Sequence, residues 1–191
     1  EYLHFDVMDG MFVSNISFGI PVLASIKDAA DIVMDVHLMI EEPIRYVEAF
    51  HKAGADILNV HYEACEDVQA TLDAIHKCGM KAGLTIKPAT PVEVLKPYLD
   101  QAELFLIMSV EPGKGGQSFI PESLDKIREL RGLLNEKGLT ADVEVDGGIH
   151  LGNAKEVLEA GANVLVAGSA VFKDNIAENV KGFMEILNEN E

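Results

Sequence analysis

One unit recurs along the whole chain: a short apolar, β-branched segment, then a stretch with apolar residues at three- and four-residue spacing, then a glycine. Segments 2–5, 32–38, 57–60, 82–86, 104–108, 143–145 and 164–167 have the composition of buried strands. Between them, stretches 43–52, 68–77, 92–99, 121–137 and 154–160 carry the periodicity of helices that cover a sheet. Three of the returns share one wording, Ala53-Gly54-Ala55-Asp56, Cys78-Gly79-Met80-Lys81 and Ala160-Gly161-Ala162-Asn163, with Gly where a helix ends in a left-handed cap. Alternation of this kind implies a parallel sheet, either open and doubly wound or closed as a barrel.

The polar residues choose between the two. An open sheet gathers ligand groups mainly at one switch point, whereas barrel enzymes draw them from the ends of many strands. Here polar or glycine-rich wording follows nearly every strand: His4-Phe5-Asp6, His37-Leu38-Met39, His61, the run from Pro112 to Gln117, Asp146-Gly147-Gly148 and Gly168-Ser169. The expected fold is therefore a (β/α)8 TIM barrel, one domain spanning residues 1–191. Seven strands are legible where such barrels have eight, and barrels of this kind run to about 250 residues, so the first strand is expected to be absent from the sequence.

Composition narrows the function classes. An apolar fraction of 48% with 25% charged residues suits a chain with a sizeable core. No apolar run approaches the roughly 20 residues that span a bilayer, and Glu1-Tyr2-Leu3-His4 lacks the marks of a signal peptide, so a cytoplasmic location is expected. Cys65 and Cys78 have neither CxxC nor zinc-ligand spacing and are expected to be reduced. A formal charge of -17 argues against nucleic acid, whose binding relies on clustered Lys and Arg. It also means that a small anionic ligand must be gripped locally, by backbone N–H groups and helix N-termini.

Strand side chains alternate faces, so His4 and Asp6 point together into the barrel while Leu3 and Phe5 point out to the helices. His37 and Met39 repeat the device, and Asp146 ends a later strand just before a Gly-Gly turn. Two imidazoles and two carboxylates at one barrel mouth are a donor set for one divalent ion such as Zn, Fe, Mn or Co. On spacing alone a hydrogen-bonded plug of that mouth is the alternative.

Five blocks resemble, in order and spacing, the ribulose-phosphate 3-epimerase family: His4 to Gly10, Asp35 to Met39, Met108 to Gly113, Glu144 to Gly148 and Ala167 to Phe172. The resemblance covers the whole chain. It implies that His4, Asp6, His37 and Asp146 hold a divalent metal, and that Asp6 and Asp146 are also the acid and base. The implied reaction inverts C3 of a ketose phosphate, D-ribulose 5-phosphate to D-xylulose 5-phosphate, through a cis-enediolate. Removing a proton from one face of C3 and returning one to the other needs two flanking groups, and a cation can stabilise the charge that develops on O2 and O3.

Met8, Met39 and Met108 match family methionines that lie against the reacting carbons. Gly147, Gly148, Gly168 and Ser169 resemble the phosphate site formed by the loops after strands seven and eight of such barrels. Gly113, Gly115 and Gly116 lie in a stretch that resembles the family's mobile loop over the substrate, with Lys114 where most members carry Phe, there to meet phosphate or to face solvent. His61 matches a family histidine expected to support a ligand rather than to be one. Lys87 ends a strand as a Schiff-base lysine would, but the metal cluster makes that chemistry superfluous. Asp9-Gly10 reads as a turn, and 185–191 as a solvated helix end.

The expected partner is a small sugar phosphate, with no nucleic acid or membrane, and the chain is expected to form a homo-oligomer. The family also implies a Ser-bearing strand ahead of residue 1. Two other functions share these features: a 3-epimerase acting on allulose 6-phosphate, and a non-catalytic phosphate-binding remnant. Decarboxylase and synthase barrels that share the phosphate site carry an Asp-x-Lys-x-x-Asp signature, which this sequence lacks.

Overall fold

The computed structural model describes residues 2–189; Glu1 and the last two residues of the acidic tail lie outside them. Seven parallel strands follow one another in chain order around a nearly closed barrel: β1 (Tyr2–Met8), β2 (Val33–Met39), β3 (Ile57–His61), β4 (Lys81–Ile86), β5 (Leu104–Met108), β6 (Asp142–Asp146) and β7 (Val164–Val166). The expected barrel class is thus what forms, with β1 and β7 at the two edges of the sheet among the described residues. The helices outside are α1 (Ile20–Ala29), α2 (Val47–Lys52), α3 (Val68–Lys77), α4 (Ser123–Glu136), α5 (Ala154–Glu159), α6 (Ser169–Phe172) and α7 (Ile176–Asn188).

Two local differences from the sequence expectations have simple causes. The expected helix at 92–99 is a 3-10 segment, Val92–Tyr98, because Pro97 lies inside it and has no N–H to give an α-helical ladder. Helix α1 is absent from the expectations because its entry is weakly marked: Gly19 offers no side-chain cap. Helix α7 has the clearer signal, with the Asn175 side chain accepting from the Glu178 N–H, and it ends in the region expected as a helix end.

Side-chain alternation divides the apolar residues into two cores. Phe5, Val36, Leu38, Leu58, Leu84, Phe105 and Val145 point outward and pack under the helices. Ile57, Leu104, Leu106, Met108 and Val110 point inward and fill part of the barrel. The rest of the interior is polar: Asp35, His37, Asn59, His61 and Glu144 are all buried on the strands' inner face. Register sets them side by side, with His4 opposite Asp35, Asp6 opposite His37, and His37 opposite Asn59.

Candidate active site

A cleft of about 670 Å³ opens at the C-terminal ends of the strands and runs down the seam between β1 and β7. Its walls include His4, Asp6 and Met8 from β1, Met39, Met108, Asp146, and Gly147, Gly148, Gly168 and Ser169 in the loops beyond. Gly113, Gly115 and Gly116 line it from the loop after β5, together with Lys114, whose side chain is exposed. His37 is fully buried directly beneath. Of the sequence candidates, Lys87 stays out of the cleft wall: its ammonium sits 3.8 Å from the centre of the Phe12 ring.

His4, Asp6, His37 and Asp146 each offer a donor atom within 4.8 Å of the others. His37 Nδ1 lies 3.0 Å from Asp6 Oδ1 and 4.0 Å from Asp146 Oδ2, and His4 Nε2 lies 3.4 Å from Asp6 Oδ1. The buried His4 Nε2 has no hydrogen-bond partner among the described residues. Its other nitrogen, Nδ1, donates to Asp35 Oδ2 at 2.5 Å. A proton on Nδ1 leaves the lone pair on Nε2, aimed at Asp6, so His4 is arranged as a ligand whose remaining nitrogen is tied back by a carboxylate. His4, Asp35 and Glu144 also cluster tightly, but there the nitrogen within reach is the one already bonded to Asp35.

Charge within this layer is strongly perturbed. Burial alone would lower His4, but the charge of Asp35 beside it and the hydrogen bond to it outweigh burial and raise its pKa well above the ordinary value. Burial alone would raise Asp6, yet His37 and His4 beside it pull it far below the usual carboxylate range. Asp146 goes the other way, pushed up by burial and by the neighbouring charge of Asp6. Glu144 is raised to about 8 by burial and by the charge of Asp35, so it is a neutral acid at neutral pH. With a cationic His4 beside the carboxylates, a proton stands where a divalent ion would fit.

Sequence reasoning missed the layer below the four donors. Asn59 donates to Asp35 Oδ1 at 2.6 Å and lies 3.4 Å from Glu144 Oε2, which joins β2, β3 and β6. Its signal was present: Asp35, Asn59 and Glu144 each stand two residues before His37, His61 and Asp146, hence on the same inner face. Ser109 was missed as well; its hydroxyl donates to the Gly147 carbonyl at 2.7 Å and pins the turn after β6. The loop after β5 is tied across the mouth to the loop after β1, where Asn15 Nδ2 donates to the Gly113 carbonyl at 2.5 Å.

The family model described as the ribulose-phosphate 3 epimerase family matches residues 1–172. The chain belongs to the ribulose-phosphate 3-epimerase family. A ribulose-phosphate 3-epimerase from Synechocystis is 51% identical over 185 residues, 95% of this chain and 80% of that protein. The Bacillus subtilis protein of the same name is 50% identical over 173 residues, with 90% and 80% covered, and the Escherichia coli K12 one is 46% identical, with 90% and 77% covered. Among solved structures, a 3-keto-L-gulonate-6-phosphate decarboxylase from Vibrio cholerae superposes with a TM-score of 0.73 at 14% identity, covering 98% of this chain and 86% of that one. A phosphoribosyl anthranilate isomerase from Thermus thermophilus gives 0.69 at 19% identity, covering 100% and 88%. At that identity the superpositions speak for the barrel fold alone, while the epimerase family rests on the sequence.

Proposed function

We propose that the chain is a metal-dependent ribulose-phosphate 3-epimerase that interconverts D-ribulose 5-phosphate and D-xylulose 5-phosphate. The observation that carries the reading is the ring of His4, Asp6, His37 and Asp146, four donor atoms within 4.8 Å at the end of a cleft, in a chain of this family. Two His and two Asp suit Zn, Fe, Mn or Co. When bound, the ion would supply Lewis-acid stabilisation of the charge that develops on the ketose oxygens.

The remaining work belongs to the side chains. Asp6 on β1 and Asp146 on β6 reach the cleft from different strands, as inversion at a carbon between two proton carriers requires. The two carboxyls are displaced in opposite directions, Asp6 down beside the imidazoles and Asp146 up through burial, so they differ in basicity as two unlike proton carriers would. Met8, Met39 and Met108 present thioethers to the cleft and keep water from the reacting carbons. Gly148, Gly168 and Ser169 lie where backbone N–H groups can take the phosphate, with Gly113, Gly115 and Gly116 over the substrate.

A coupled assay on ribulose 5-phosphate and allulose 6-phosphate, with and without chelator, tests the reading. Activity on the pentose phosphate that chelator abolishes and added metal restores is expected. Preference for the hexose phosphate would reassign the substrate, chelator-resistant activity would remove the metal, and no activity on either would leave a phosphate-binding protein.

A further inference from the structure

His37 is reached from below by a chain of polar contacts that none of the four proposed ligands requires. Its Nε2 lies 2.9 Å from Nε2 of His61, and Nδ1 of His61 lies 3.3 Å from Glu63 Oε2. Glu63 is held from the far side, where its Oε1 accepts from the Lys87 N–H at 2.8 Å and from the Thr90 hydroxyl. The path therefore runs from the loop after β4, through the turn after β3, to the inner face of β2. His37 and His61 are both fully buried, and the Phe12 ring, 4.8 Å from that of His61, covers the second imidazole.

We propose that Glu63, acting through His61, is a positioning residue that sets the tautomer of His37, so that its Nδ1 presents a lone pair to Asp6 and Asp146. The inference rests on the metal-binding reading for its consequence, though not for its geometry. Two facing Nε2 atoms can share only one proton, so one imidazole must donate and the other accept. A carboxylate can only accept. His61 therefore carries its proton on Nδ1, pointing at Glu63, and its bare Nε2 accepts from Nε2–H of His37. That leaves the lone pair of His37 on Nδ1, 3.0 Å from Asp6 Oδ1, where two acceptors face each other and a cation belongs between them. His4 is polarised in the same sense by Asp35, directly.

The substitution that tests this is Glu63→Gln, which keeps the shape. Because the Lys87 N–H requires an acceptor at Oε1, the glutamine must place its carbonyl there and turn its NH2 toward Nδ1 of His61. The proton order then reverses: His61 donates from Nε2, and His37 carries its proton on Nδ1, aimed into the site. Nitrogen NMR of metal-free protein labelled in histidine should show His61 protonated on Nδ1 in the wild type and on Nε2 in E63Q. Titration with Co(II) should give E63Q a dissociation constant larger by about 10–100-fold, with its melting temperature retained. Wild-type His61 protonated on Nε2 would overturn the relay, and that spectrum decides it even if E63Q fails to fold. Equal Co(II) affinity in the two proteins, with the tautomers reversed as expected, would overturn the positioning role. A wild type that binds no Co(II) removes the metal-binding reading, and with it the positioning role, while the tautomer of His61 still tests the relay by itself.

Discussion

At the scale of single residues, the glycines of the proposed phosphate site are not equivalent. Gly148 has φ +66° and an added Cβ would meet the Phe119 backbone nitrogen at 2.4 Å, so any substitution there distorts the turn itself. Gly168 has a negative φ of -88°, and an added Cβ would meet nothing within 4 Å. Gly168→Asp is therefore the clean probe. It should leave the melting temperature within a degree or two of the wild type, and weaken competition by inorganic phosphate by at least about tenfold through bulk and like charge. Unchanged phosphate competition would count against a phosphate seat at Gly168.

Glu144 supplies a second test at this scale, one of pH. In the native protein it keeps its proton to about 8, against an ordinary value of 4.5. Between those values the folded state binds a proton that the unfolded state has lost, so the group's contribution to stability falls as pH rises through the window and levels off above it. Glutamine copies the protonated acid and does not titrate. The melting temperature of metal-free Glu144→Gln, relative to wild type, should climb between about pH 5 and about pH 8. A pH-independent difference would mean that Glu144 is ionised when folded.

At the scale of elements, strand register builds the buried polar layer. Asn59 on β3 pairs with Gly83 on β4, and the missing side chain at 83 is what gives the amide room: an added Cβ would lie 1.7 Å from Asn59 Oδ1. Gly83→Ala forces Asn59 away from Asp35, which costs the overpacking itself and leaves a buried carboxylate oxygen without its donor. A loss of ~2–4 kcal/mol in unfolding free energy is expected from denaturant titration. Metal affinity should fall with it, since Asp35 holds His4. The double change Asn59→Ala with Gly83→Ala should recover part of the packing loss and none of the affinity; full recovery of both would show that Asn59 supports nothing beyond its own volume.

At the scale of the whole molecule, the proposed ion joins β1, β2 and β6, and so couples strands from both sides of the seam between β1 and β7. An ion that binds only the folded barrel must stabilise all of it. Zn(II) at one hundred times its dissociation constant should add ~2.7 kcal/mol, read as a raised melting temperature that chelator reverses. A midpoint unmoved by metal or chelator would exclude a resident ion at this position. The net charge of -17 acts at this scale too, since a phosphorylated substrate meets no long-range attraction and depends on contacts inside the cleft.

The sequence by itself determined the alternation of strand and helix, the parallel sheet, and the inward-facing residues at the strand ends. Each follows from a period of two or of 3.6 acting within a few neighbouring residues, and His4, Asp6, His37 and Asp146 were legible for that reason. Helix α1 was not, because its entry carries no capping side chain. Asp35, Asn59 and Glu144 have the right alternation, but nothing local says that three polar residues on separate strands meet in one buried layer. Only the tertiary structure decided which nitrogen of His4 is tied back by Asp35 and which faces the proposed ion site, and that Glu144 is the carboxyl pushed up by burial. Those choices depend on distances across strands that are far apart in the chain and on burial that removes water as an alternative partner, and neither exists until the barrel has formed.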